Sequence, residues 1–413
     1  MRPPVSFLGV ALHAFIGIAA CSSAGAQQMA WVQKSPSTSP AARHRHAMAY
    51  HMARAQAVLF GGIGDSGVLG DTWTWNGSAW SQAVPSSSPP ARMHHAMAYD
   101  AARGQVVLYG GMGAFAFGDT WVWDGTTWHL KAPFPNPSFR SYHAMAYDSS
   151  HAEVILFGGY EWTRMNDTWG WDGTSWTVKT PATSPSARTF HAMAYDAARS
   201  ELVLFGGWDG ASPLGDTWVW NGSDWTRRYP LTSPPARDSH AMAYDAARGQ
   251  VVLFGGWNRV TDFNDTWTWD GTTWTQQTPS AMPSLPLALP PARSFHAMTY
   301  DVLHQEVVLF GGSNPDALLS DTWVWRPWSG PLISSIKSKS SRPGTSATIT
   351  GSGFSATKTA NTVKFGKYTS SVTKARTTQL TVTIPTKCKS GKTYRVQVTV
   401  SGNKSNVVQF LIK

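Results

Sequence analysis

Cysteine is nearly absent: the 413 residues hold two, Cys21 and Cys388. That excludes a disulfide framework, and a chain of this length buries enough core without covalent staples. Glutamate is scarce as well, with only Glu153, Glu161, Glu201 and Glu306, so a glutamate acid–base pair has few places to sit. Long apolar runs are lacking. The one candidate, Val5 to Ala20, is too short and too poorly flanked for a membrane span and reads as part of a targeting segment. From Pro331 to Lys413 there is no tryptophan and no acidic residue, against 14 lysines and arginines. The formal charge of +10 therefore belongs to one end, because residues 27–330 carry 19 basic and 24 acidic side chains.

What the chain has in quantity is tryptophan, and it is periodic. Six units between Pro40 and Trp325 read Arg-x-x-His-Ala-Met, a tyrosine, an apolar run ending Gly-Gly, then Asp-Thr-Trp-x-Trp. The register is marked by His46, His95, His143, His191, His240 and His296, spaced 49, 48, 48, 49 and 56 residues apart. Of 22 tryptophans, 18 fall at equivalent positions. Self-similarity at this period, in short strand-like segments, predicts the blades of a propeller.

The second unit shows how one repeat becomes one blade. His95 to Tyr99 alternates large and small residues, which is strand periodicity. Val106 to Tyr109 is a buried-strand run, and Gly110-Gly111 ends it where a side chain would block the backbone. Asp119 to Trp123 forms a third strand, Asp124-Gly125 a tight hairpin, and Trp128 opens a fourth. The sixth unit lacks this last hairpin. Its missing strand is expected from the other end of the chain, where Trp31 to Arg43 matches Trp80 to Arg92. Residues 31–34 should then pair with residues 321–325 and lock the ring.

These residues resemble the Kelch repeat, particularly its bacterial form related to the central domain of galactose oxidase. The shared elements are Arg-x-x-His, the Gly-Gly doublet and Asp-x-Trp-x-Trp. The resemblance implies an all-β, six-bladed propeller over residues 27–329, a fold that serves both enzymes and binding modules. The copper-radical chemistry of galactose oxidase is rejected, since it needs a tyrosine cross-linked to a cysteine and the propeller has none. Residues 330–413 resemble the IPT/TIG immunoglobulin-like domain through Pro343-Gly344-Thr345, Thr350-Gly-Ser-Gly-Phe354 and the strand end Phe365-Gly366. Such domains in bacterial exported proteins usually act as spacers or adhesion modules. Residues 1–26 read as a signal peptide ending at Ala24-Gly25-Ala26, and Ile18 to Cys21 also fits a lipoprotein box, which would bring Cys21 to the membrane. The protein is expected to be secreted or held in the cell envelope.

A residue found in all six units is there to build a blade, so chemistry is sought where the units differ. The loops between second and third strands differ in every unit, and three of the four tryptophans outside the pattern lie there. The candidate ligand-binding residues are Tyr160, Glu161, Trp162, Arg164, Trp208, Asp209, Trp257, Arg259 and Phe263. Flat rings beside Asp and Arg suit a glycan or an extracellular protein. The linker Pro279 to Pro291 is placed to cap that face. No catalytic residue, metal ligand set or cofactor is assigned. His44 and His94 are near equivalent strand entrances but have no third ligand. Two alternatives stand: a carbohydrate-active enzyme of the sugar epimerase or lyase type, using Glu161 or an aspartate with an arginine at the channel mouth, and a structural surface component. The basic C-terminal domain is a candidate for an anionic envelope polymer, and no nucleic-acid partner is expected.

Overall fold

A computed structural model describes residues 29–277, 289–328, 330–338, 340–400, 403–405 and 407–413. The expected signal segment, with Cys21, and most of the linker from Pro279 to Pro291 lie outside the described residues. Among the described residues no helix is long and apolar enough to cross a membrane.

The repeats fold into six four-stranded antiparallel sheets. In the second blade the strands run Ala96–Asp100, Gln105–Tyr109, Thr120–Trp123 and Trp128–Lys131, from the axis outward. The inner strand of each blade lies beside that of the next, and the sixth, Ala297–Asp301, lies beside the first, Ala47–His51. Large and small residues interleave between blades: Met97 and Tyr99 pack on Ala47 and Ala49 of the blade before.

The ring is closed as expected. Met29–Lys34 is the outer strand of the sixth blade, with Trp31 opposite Trp325 and Lys34 opposite Thr322. The indole Nε1 of Trp31 donates to Thr266 Oγ1 of the fifth blade at 2.8 Å. Every other outer strand makes the same bond to the preceding blade; Trp80 to Thr322 at 2.9 Å crosses the closure from blade one to blade six. Each bond satisfies an indole N–H that would otherwise be buried without a partner.

The repeat signature is explained by a second network. Arg43, buried, binds both carboxylate oxygens of Asp71 at 2.6 and 2.8 Å and also donates to the carbonyl of Gly61. Trp73 Nε1 donates to the same carboxylate at 2.7 Å. All six units repeat this arrangement. The arginine therefore pairs within its own unit, tying the inter-blade loop to the loop between second and third strands, rather than between blades or around the channel mouth. Burial alone would raise the Asp71 carboxyl, but the Arg43 and Trp73 contacts outweigh it and hold it below the usual carboxylate range.

The Gly-Gly doublet and the histidine explain each other. At Gly61, with φ +64°, a Cβ would lie 2.5 Å from the carbonyl oxygen of Arg92 and 3.1 Å from the His95 ring. The histidine of one blade is thus wedged against the glycine and Phe60 of the blade before, the two rings meeting edge to face at 5.6 Å. The six histidines are buried, each ring meets the backbone of the aromatic residue before the glycine pair, and burial outweighs that contact and drives their pKa down, to about 3 for His46 and His191. They are neutral packing elements.

Two further rings encircle the axis. On the face opposite the variable loops, each inner-strand tyrosine hydroxyl bonds to the first turn of the preceding blade. Tyr99 accepts from the Ala53 N–H and Tyr147 from Ala102, and so round to Tyr50, which accepts from Leu303 across the closure. Below them six methionines (Met48, Met97, Met145, Met193, Met242 and Met298) line the channel.

The C-terminal unit is a β-sandwich-like sheet in the strand order Leu332–Ser338, Ser346–Ser352, Gln379–Thr383, Tyr368–Arg376, Asn361–Phe365, Thr393–Val400 and Asn403–Lys404, with Val408–Leu411 also pairing Thr393–Val400. Alternate residues such as Val363, Phe365, Val396 and Val398 fill its core. Cys388 is buried there and its thiol is pushed up by burial, as suits an unreactive side chain.

Candidate functional site

The variable loops gather on one face, because each inter-blade segment bridges to the start of the loop between second and third strands in its own blade: His44 to Ile63, Ser141 to Tyr160, Thr189 to Trp208, Asp238 to Trp257. At the centre of this face the residue before each repeat histidine turns left-handed, with φ between 56° and 62°, at Arg45, His94, Tyr142, Phe190, Ser239 and Phe295. The backbone N–H of each donates to the carbonyl of the one before, from Arg45 to Phe295 and onward, in a closed ring of six bonds between 2.9 and 3.1 Å. Left-handed backbone is costly for bulky residues, so these bonds must hold it. The side chains cap the channel. His94 lies 4.2 Å from the Tyr142 ring, Tyr142 4.4 Å from Phe190, and Phe190 5.6 Å from Phe295, with the Arg45 guanidinium over Phe295 at 5.0 Å. Burial and then the nearby Arg45 charge drive the pKa of His94 well down.

Around this aromatic floor stand the loop residues. In blades three and four the central hairpin continues past its glycines as Glu153–Tyr160 with Arg164–Trp171 and Glu201–Trp208 with Pro213–Trp220, bulged at the glycines. Tyr160 and Trp208 are therefore strand residues, held more firmly than loop side chains. Trp162 is at the blade-three tip, 78% exposed, touching only the edge of Phe139 at 5.8 Å among the ring contacts seen. Glu161 lies beside it, half-buried. Arg164 lies against the Asp209-Gly210 turn of the next blade, where a Cβ on Gly210 would meet its guanidinium.

The structure brings Trp208, Trp257 and Arg259 together. The Arg259 guanidinium stacks 3.9 Å from the Trp208 ring and 4.8 Å from Trp257, and its Nε lies 2.9 Å from Asp238 Oδ2. Asp238 is fully buried and its carboxyl is raised by burial, opposed by the Ser239 hydroxyl and Arg259. Asp262, also raised by burial, is near enough to add to that effect. The guanidinium is within cation–π range of both rings, and both tryptophans remain half-buried.

Two of the candidates sit elsewhere. Asp209 accepts the backbone N–H groups of Ala211 and Ser212, which hold its carboxyl below the usual range, so it serves the turn. Phe263 lies flat on the Arg237 guanidinium at 4.0 Å, as Phe117 does on Arg92, and covers the Arg–Asp pair of its blade. That role was visible in the sequence, since every unit has an apolar residue two places before the repeat aspartate: Leu69, Phe117, Met165, Leu214, Phe263 and Leu319. Sequence reasoning also left out the central ring. Its signal was the residue before each histidine, which changes between units inside the otherwise constant Arg-x-x-His-Ala-Met signature. His44 bonds to Ser313 Oγ at 3.0 Å through Nδ1, and no group of three metal-binding side chains occurs among the described residues.

Residues 331–412 match the model of the IPT/TIG domain family. The C-terminal unit is an IPT/TIG domain. No curated protein matches the chain. The TIG domain carries charge on exposed strands and loops, as at Lys364, Lys374 and Arg376, and Lys337 lines a cavity of about 490 Å³ with Ser338, Ser340, Thr345, Ser346 and Thr348.

Proposed function

We propose that this is an exported, non-enzymatic binding protein whose Kelch-type propeller recognises a glycan on its variable-loop face, with the basic TIG domain spacing it from, or holding it to, an anionic envelope polymer. The observation that carries the reading is the Trp208–Arg259–Trp257 cluster, braced by buried Asp238, on the face that also carries exposed Trp162 and the central aromatic ring. Rigid indole surfaces next to fixed polar groups are what a sugar face requires. The Kelch assignment is supported by the signature residues, each of which has a structural duty: arginine to aspartate, histidine to glycine, indole to threonine.

An enzyme of the epimerase or lyase type would need a carboxylate and an arginine converging in a pocket open to substrate. Asp238 and Arg259 do converge, but the carboxylate is fully buried and engaged by the guanidinium. That favours a binding face over acid–base chemistry. The test is a broad glycan and wall-polymer array probed with the full chain and with Trp162→Ala/Trp208→Ala/Trp257→Ala. Specific binding lost in the variant, with the fold intact by circular dichroism, supports the reading. Binding that survives the variant but vanishes without residues 331–413 would move recognition to the TIG domain.

A further inference from the structure

The opposite mouth of the channel is a second candidate site, of different chemistry. It opens into a well of about 420 Å³ lined by the six channel methionines, inner-strand alanines and the tyrosine rim. That volume lies in the range of small-ligand sites. Toward the variable loops the axis narrows to a smaller space of about 140 Å³ lined by the histidine layer and the ring of left-handed residues. The walls of the well are mainly thioethers and methyl groups, with Thr299 in place of the alanine in the sixth blade, and each tyrosine hydroxyl at its rim is engaged by the preceding blade. A polar ligand would lose its hydration there and find few partners.

The rim is not six-fold. After the inner strand, four blades carry alanine or serine in the first turn (Ala101, Ser149, Ala197, Ala246), but the first and sixth carry Met52, Val302 and Leu303. These three are 51%, 42% and 65% exposed. In the first blade the aspartate of the other five, which pairs with Arg103, His151, Arg199, Arg248 or His304, is replaced by buried His51, whose ring packs on Tyr99 of the second blade. An ion pair is thereby removed beside Met52, while the Asp301–His304 pair remains beside Val302 and Leu303. Exposed apolar residues that depart from a repeat consensus have no part in building the blade, and their occurrence in the first turns of two adjacent blades makes a lip.

We propose that this well takes an unbranched alkyl chain, entering over the Met52–Val302–Leu303 lip. A nearly symmetric apolar well favours a cylindrical occupant with no hydrogen-bonding groups along its length, and methionine side chains adapt to such a chain. The chain could belong to a free fatty acid or to a lipid.

Equilibrium binding of octanoate, decanoate and dodecanoate to the full chain tests this. The expected result is one saturable site, with affinity rising about fourfold per added methylene, equivalent to ~0.8 kcal/mol. Met52→Asp/Val302→Asp should weaken dodecanoate at least tenfold, and Leu303→Asn, a milder change at the most exposed lip position, should weaken it by a smaller factor. Co-sedimentation with phosphatidylcholine vesicles, lost in the lip variant, would assign the chain to a bilayer lipid; binding of dodecanoate without co-sedimentation would assign it to free fatty acid. Absence of saturable binding, affinity independent of chain length, or affinity unchanged in both lip variants would overturn the proposal. Loss of dodecanoate binding in Trp162→Ala, with the lip variants unaffected, would overturn it too, by placing the chain at the other mouth.

Discussion

The two mouths of one channel have been built by opposite rules. At the tyrosine mouth the same residue bonds the first turn of the preceding blade all the way round, to a backbone N–H in five cases and to the Ser150 hydroxyl in the sixth, and only the first turns of two adjacent blades depart from the pattern. At the variable-loop mouth the backbone repeats in a ring of six hydrogen bonds, while the side chains on that ring are Arg45, His94, Tyr142, Phe190, Ser239 and Phe295. The lesson is that a repeat can hold its backbone constant and release its side chains for recognition at the same position. Constant side chains report on construction, and variable ones on a constant backbone report on function.

The sharpest way to break this contrast is to damage construction. Asp216→Ala leaves Arg188, which is buried, without its partner, and should destabilise the propeller by about 3–5 kcal/mol, read from a denaturant midpoint. Its equivalent Asp167→Ala should cost less, because that carboxylate is 35% exposed against 13%. Equal costs would mean that the six pairs do not feel their local burial.

Acid should act next. The six wedge histidines have folded pKa values depressed below the ordinary 6.5. Below that pH the unfolded chain takes up protons that the folded chain refuses. Stability present above pH 6.5 is therefore lost as pH falls toward the folded values, by ~1.4 kcal/mol per pH unit for each histidine well inside that window. A melting temperature that holds steady between pH 7 and pH 5 would contradict neutral, buried histidines. Removing one hydroxyl of the tyrosine ring, as in Tyr244→Phe, should cost about 1 kcal/mol, since it deletes the bond from the Ala198 N–H at 2.9 Å. At the far end of the scale, Trp162→Ala should change stability by less than about 0.5 kcal/mol, because the side chain is mostly in solvent.

Most of the fold was legible because each repeat states its constraints six times. Strand register, ring closure through Trp31 and the change of domain near residue 330 all rest on patterns that one copy could not have established. The site was less legible for a physical reason. Pairing between residues of neighbouring blades, such as Arg259 with Trp208, or Arg164 with the Asp209 turn, depends on how far side chains reach across an interface, and spacing along the chain does not encode that. Asp238 shows the limit well: a carboxylate where the other units carry His44, Met93, Ser141, Thr189 and Ser294 stands out in the sequence, but its burial beneath Arg259 does not. Phe263 shows the converse, since its aromatic character drew attention while its apolar-x-Asp position already marked it as part of the frame.

The central claim is that ligand covers the face where the blades differ. Among the described residues Trp162 is the one tryptophan in the exposed class, so it should dominate quenching of intrinsic fluorescence by iodide. Iodide quenching measured with and without the strongest ligand from the array is the direct test. The account predicts that saturation with ligand abolishes most of the quenching, and that Trp162→Phe removes the same component beforehand. Quenching unchanged at saturation would show that the ligand binds elsewhere and would contradict the claim.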